Sequence, residues 1–148
     1  MANKFFTEAI KTALDGDLDI SNGTYQVRLY TTAPTSAELG TAAIRLDDLS
    51  SSAAAGQSYA TDIGITTPTI EFNSGDVKYG DNIETIVITP AAIDESETVI
   101  NMVVYQANDT DAASIPIVSC DITSTTTNGQ NLTITVAGNG FGNVAVNA

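Results

Sequence analysis

The 148-residue chain has no histidine and no tryptophan, a single cysteine and only five basic residues. Without histidine, the side chain that most often exchanges protons near neutral pH is missing, and neither a Ser-His-Asp nor a Cys-His nucleophile can be assembled. A zinc site built from Cys and His has only Cys120 to draw on. That lone cysteine excludes an intrachain disulfide, and its place in the run Ile115–Ile122 marks it as a small buried hydrophobe rather than a redox group. No apolar run approaches the roughly 18 residues of a membrane-spanning helix. The opening Met1-Ala2-Asn3-Lys4-Phe5-Phe6 lacks the continuous apolar stretch of a secretory signal. These absences predict a soluble protein made in a cytoplasm, with no membrane partner and no cofactor.

The scarcity of positive charge is uneven. Lys4, Lys11, Arg28, Arg45 and Lys78 are the only bases, so residues 79–148 contain none, and 18 acids bring the net charge to −13. Such a chain repels phosphate backbones and has no basic stripe, which argues against a nucleic-acid partner. Its hydrophobic content of 43% is too high for a disordered acidic tail. The expectation is one folded domain over residues 1–148.

What the chain does have is β-type sequence, densest between Thr98 and Ala137. Val99–Tyr105, Ile115–Cys120 and Leu132–Val136 are rich in Val, Ile, Thr and Tyr and are separated by the polar stretches Asn108–Ser114 and Ser124–Asn131, which read as loops. Both faces of Val99–Val104 are largely apolar, so that strand is expected to be central. Thr24–Thr32 alternates cleanly, with Tyr25, Val27 and Leu29 on one face and Gln26, Arg28 and Tyr30 on a face left to solvent or a partner. Shorter strands are expected at Tyr59–Gly64, Thr69–Phe72 and Glu84–Thr89, the last stopped by Pro90, with a final one around Val144 and Val146. Asn73–Asp76 and Ala137–Gly142 read as turns.

Asn3–Asp15 reads as the one helix, with Asn3 as N-cap, Gly16 just past its end, and a stripe of Phe5, Phe6, Ala9, Ile10, Ala13 and Leu14. That stripe fits either the domain's own sheet or a neighbouring molecule. Residues 33–58 read as a flexible loop region, and 59–148 together with 24–32 as the main strand core. Strands without alternating helices give a fold class that is mainly β, an antiparallel β-sandwich or jelly-roll-like barrel with one N-terminal α-helix.

Candidate chemistry is thin. Asp15–Asp19 starts like a calcium loop but has Ile20 where the sharp turn needs Gly and Gln26 where a bidentate Glu belongs. Asp47/Asp48 and Asp94/Glu95/Glu97 are carboxylate pairs in polar connections, where solvated charge is the ordinary state. The five tyrosines are scattered rather than gathered into a glycan platform. No catalytic, cofactor-binding or metal-binding residue is nominated. The candidate contact residues are Phe5, Phe6 and Ile10 on the helix, Arg28 and Tyr30 on the open strand face, and Arg45 in the loop region.

The order of features resembles a family of small virion proteins of tailed bacteriophages. The matching stretches are Met1-Ala2-Asn3 followed by Phe5–Leu14, Thr24–Leu29, Gly80–Glu84, Val103-Val104-Tyr105-Gln106, Asp109–Ala112, Ile115–Ile122, and Thr127–Gln130 leading into Leu132–Val136. The likeness spans most of the chain and is weakest at Ala33–Ser58. It implies a non-catalytic structural protein made in the host cytoplasm and located in the virion. The implied role is capsid decoration (a cement protein), with the major capsid protein or further copies of the chain as partners. A tail or head–tail connector subunit is the alternative implied by the same family, and a host-surface glycan-binding module is a third reading.

Overall fold

The computed structural model describes residues 3–73, 76–136 and 140–145. The expected Asn73–Asp76 and Ala137–Gly142 turns lie partly outside these residues, and Val146 wholly so. The chain is mainly β, as expected, and its arrangement is consistent with a β-sandwich. In order, the described elements are β1 (Asn3–Phe5), α1 (Thr7–Leu14), β2 (Tyr25–Tyr30), β3 (Ile63–Ile65), β4 (Ile70–Asn73), β5 (Asp76–Tyr79), β6 (Thr85–Ile88), β7 (Thr98–Asn108), β8 (Thr110–Thr126), β9 (Leu132–Thr135) and β10 (Gly142–Ala145). They form a five-stranded sheet in the order β1-β8-β7-β2-β3, a three-stranded sheet β10-β5-β4 and a two-stranded sheet β6-β9. Every named strand pair is antiparallel.

β7 lies at the centre of the large sheet, as its two apolar faces predict. Val99 and Asn101 through Tyr105 are all buried along it, held between β2 and β8 over nearly its whole length. Each fully buried aliphatic side chain here stabilises the fold by about 1.5–3 kcal/mol relative to exposure. The polar stretch after β7 is not a loop. Asp109, at a φ of 68°, is the one residue between the two strands of a long hairpin. The Ser114 hydroxyl sustains the irregular ladder there, accepting from the Asn108 N–H at 3.1 Å and donating to the Thr110 carbonyl at 2.6 Å. Composition points to a loop at Asn108–Ser114, but side-chain hydrogen bonding lets polar residues continue a strand. β8 likewise runs on to Thr126, into the second expected loop.

The N-terminal helix is shorter than its stripe suggests. Asn3–Phe5 instead pair with Val118–Cys120, and Phe6, the residue before the helix, donates its N–H to the Ile117 carbonyl at 2.9 Å. Three residues of strand are too few to show a period of two against the helical period that follows. Phe6 and Ala9 are buried, Ile10 and Ala13 half-buried, whereas Leu14 is 83% exposed, so the buried stripe ends one turn early. The chain then turns at Gly16 (φ +84°), with the Gly16 N–H on the Ala13 carbonyl and the Asp17 N–H on the Thr12 carbonyl.

The region expected to be a flexible excursion, residues 33–58, is pinned to the domain. Thr35 and Glu38 cap each other: the Thr35 N–H donates to Glu38 Oε2 at 2.7 Å, and the Glu38 N–H to Thr35 Oγ1 at 3.2 Å. Burial works to raise the Glu38 pKa, but the hydrogen bonds from Ser50 and Thr35 outweigh it and hold the carboxyl below its ordinary range. Ala43, Leu46 and Ala54 are buried. The Ala54 N–H bonds the Leu29 carbonyl and the Thr31 N–H the Ser52 carbonyl, which lays residues 52–54 along β2.

Glycine is required at the end of β5, where the chain packs against Phe141. Gly80 has a φ of +76°, and a Cβ there would overlap the Phe141 ring, itself packed 6.5 Å from the Tyr79 ring. Gly16 has a similar φ but open space around it. Gly80→Ala is therefore expected to cost about 1–3 kcal/mol more than Gly16→Ala, since both incur left-handed strain of about 1–2 kcal/mol but only one forces side-chain overlap. Urea unfolding of the two variants measures the gap.

Candidate functional site

The polar face of β2 departs most from expectation. Alternation puts Gln26, Arg28 and Tyr30 on one face, but Arg28 and Tyr30 are only 5% and 2% exposed. The segment 56–62 folds over that face and the tip of the β7–β8 hairpin bends toward it. Arg28 Nε donates to Asp62 Oδ2 at 2.7 Å, and its two terminal nitrogens grip Asp111 in a bidentate pair at 2.8 and 2.9 Å. The guanidinium also lies 5.8 Å from the centre of the Tyr105 ring. A planar fork with fixed donors suits this arrangement, which a lysine would not reproduce.

Two carboxylates face one guanidinium, Asp111 from a part-exposed position and Asp62 from a dry one. The Asp62 side chain is wholly buried, and its Oδ1 has no hydrogen-bond partner among the described residues. Burial, offset only in part by the Tyr105 hydrogen bond and the Arg28 charge, pushes its pKa up to about 6. The proton count points the same way. Tyr105 Oη lies 2.6 Å from Asp62 Oδ2 and 2.8 Å from Gln26 Oε1, yet it has one hydrogen for two acceptors. Below about pH 6 a proton on Asp62 supplies the second. Burial raises Tyr105 as well, with the hydrogen bond to Asp62 adding to the effect. Burial works to lower Arg28, but its hydrogen bonds to Asp111 and the Asp62 charge win, so its pKa is raised. Burial pushes Tyr30 up to about 12. This cluster is a structural clamp: its charges are spent on one another inside the domain.

The other tyrosines are consumed similarly. Tyr25 and Tyr79 both donate to the Ile20 carbonyl, at 2.7 and 2.8 Å, and tie down the acidic segment after α1. Tyr59 Oη accepts the Asp109 N–H at 2.9 Å. The carboxylates Asp47, Asp48, Asp94 and Glu95 are exposed, as solvated charges are. Among the described residues no three Cys, Asp or Glu side chains converge as a metal site. No helix of the described residues is long and apolar enough to cross a membrane.

The six candidate contact residues therefore do not form one surface. Phe6, Arg28 and Tyr30, expected at an interface, are buried in the chain's own packing. Phe5 is half-buried against Tyr79, with ring centres 5.8 Å apart. Ile10 is half-buried on α1, and Arg45 alone is exposed.

What the sequence does not reveal is a pair of open seams between sheets. One, of about 420 Å³, separates β3 from β6; Asn82 at its edge accepts the Thr69 N–H and donates to the Thr67 carbonyl. The other, of about 340 Å³, lies between the outer half of β8 and β9, over a floor of Met102, Cys120 and Phe141. Burial and the neighbouring Asp121 push the Cys120 thiol up to about 12, so it is no nucleophile. No family model, no curated protein and no solved structure matches this chain.

The clamp makes a pH-dependent prediction. A carboxyl whose folded pKa of about 6 exceeds its ordinary 3.8 stabilises the fold while protonated, and that contribution is lost as pH rises through 6. The stability difference between the native chain and Asp62→Asn should fall by on the order of 2 kcal/mol from about pH 4 to about pH 7. Arg28→Met should cost more, about 3–5 kcal/mol at pH 7, because it strands Asp62 in the interior. Denaturant unfolding of the three proteins across that range reads both effects.

Proposed function

We propose that the protein is a non-catalytic structural component of a tailed-bacteriophage virion, decorating and stabilising the outside of the capsid lattice. The observation that carries this reading is the order of family-like segments along the chain, from Met1-Ala2-Asn3 through Thr24–Leu29 and Val103–Gln106 to Leu132–Val136. Of these, Thr24–Leu29, Val103–Gln106 and Leu132–Val136 coincide with β2, β7 and β9 of a mainly β domain. Physical features support it. Histidine is absent, and the buried Asp62 carboxylate, with its raised pKa, is bound up in a structural cluster. A net charge of −13 keeps free copies apart and favours a partner of opposite charge. The seam-facing edges of β6 and β9, unpaired among the described residues, offer backbone groups to neighbours in a lattice.

A tail or head–tail connector subunit is the second reading, supported by the same segment order. A glycan-binding module fits less well, since Tyr25, Tyr30, Tyr79 and Tyr105 are buried and cannot serve as stacking platforms. Electron microscopy of intact virions carrying this protein tests the proposal: the capsid reading predicts its density on the outer face of the head shell. Density confined to the tail would transfer the assignment to the second reading, and its absence from the particle would end both.

A further inference from the structure

The open edge of β9 has a definite hydrogen-bonding pattern. The Val136 N–H bonds the Glu84 carbonyl at 2.9 Å, and the register continues as Ile134 opposite Ile86 and Leu132 opposite Ile88. Bonded and non-bonded residues alternate along an antiparallel pair. Leu132, Ile134 and Val136 thus turn their backbone groups toward β6, while Thr133 and Thr135 turn theirs the other way, into the seam. No described residue pairs with those groups. The seam is lined by all five consecutive residues from Leu132 to Val136. A cavity under a sheet face would meet alternate residues; consecutive ones mean that the strand is seen edge-on. Five residues give a wall about 16 Å long at about 3.3 Å per residue.

The occupant's chemistry follows from the walls. Leu132, Ile134 and Val136 are half-buried beside the Met102, Cys120 and Phe141 floor, and Thr133 and Thr135 are exposed. A strand added to this edge would face the floor with every second side chain and solvent with the others. Apart from Asn3, every lining residue comes from the part of the chain after Lys78, which holds eight carboxylates and no base. A second copy at −13 would bring like charge, whereas a basic segment would bring complementary charge.

We propose that the seam between β8 and β9 is a strand-acceptor site, which takes an extended segment of a partner protein alternating apolar with Lys or Arg and pairs it with Thr133 and Thr135 of β9. This stands whatever assembly the partner belongs to, and deals with the recognition surface rather than the protein's place in a particle.

The test is titration of the full chain with a synthetic peptide of about seven residues alternating Val and Lys, long enough to span the wall. Calorimetry gives the affinity and amide exchange by NMR the site. The expected result is saturable one-to-one binding that slows exchange at Thr133 and Thr135 but not at Leu132 and Ile134, and weakens several-fold from about 50 mM to about 500 mM salt. Thr133→Pro removes a seam-facing N–H from an edge, where proline is tolerated. It should lower affinity at least tenfold while leaving the melting temperature near that of the native chain. A peptide N-methylated on its bonding edge should lose binding to the native chain by a similar factor, which keeps the test independent of how the variant folds. No saturable binding, binding indifferent to both changes, or equal binding of a Val/Glu peptide would overturn the proposal. So would a dimer by light scattering with Thr133 and Thr135 protected in the absence of peptide, since the occupant would then be a second copy.

Discussion

A guanidinium cannot be left unpaired inside a protein, and Arg28 is inside this one. Its pairing with Asp62 and Asp111 requires two segments far apart in sequence to meet over β2: the turn before β3 and the tip of the β7–β8 hairpin. Tyr105 and Gln26 join the same cluster from the sheet itself. The remainder of the connection between β2 and β3 is held against the domain, with residues 52–54 along β2 and its own Leu46 and Ala54 buried. Ion pairs of this kind add little net stability compared with a well-packed apolar core, yet they penalise any arrangement that separates the partners. In this chain the cluster selects one position for a long connection whose regular pieces are two short helical turns, at Glu38–Ala42 and Leu46–Asp48.

That constraint closes one side of the domain and leaves the other open. The large sheet is covered on the Arg28 face, while β6 and β9 form a separate pair that meets the large sheet at neither end by hydrogen bonding among the described residues. Soluble proteins normally blunt such edges with charge, bulges or short strands. β9 is short, but its flanks are threonines, with no lysine or proline on the strand. An edge left in that state in a strongly acidic protein is a surface to which a basic partner can add a strand, and self-pairing is opposed by the charge of the molecule.

Much of the architecture could be read from residue patterns. The alternation of Tyr25–Tyr30 and Leu132–Thr135, the two-sided apolar character of Val99–Val104 and the proline after β6 all give the strands their observed places. The failures have physical causes. Arg28 looked solvated because its partners lie 34 and 83 positions away, beyond the reach of any local period. Asn108–Ser114 looked like a loop because the serine and asparagine side chains that sustain the ladder are also the commonest turn formers. Thr35 and Glu38 do have capping-box spacing, a signal that would have shown the segment after β2 to be ordered. The seams could not be read at all, since a gap between sheets depends on how separate strand pairs dock.

The functional account rests on a charge-clamped β domain that presents the seam-facing edge of β9, unpaired among the described residues. Native-state amide exchange of the full chain, followed residue by residue by NMR, tests that picture most directly. The account predicts the slowest exchange along β2 and β7 around Arg28 and Tyr105, slow exchange at Ile134, and rapid exchange at its neighbours Thr133 and Thr135. Thr133 and Thr135 amides as protected as that of Ile134 in the free protein would contradict it, because the edge would already be closed.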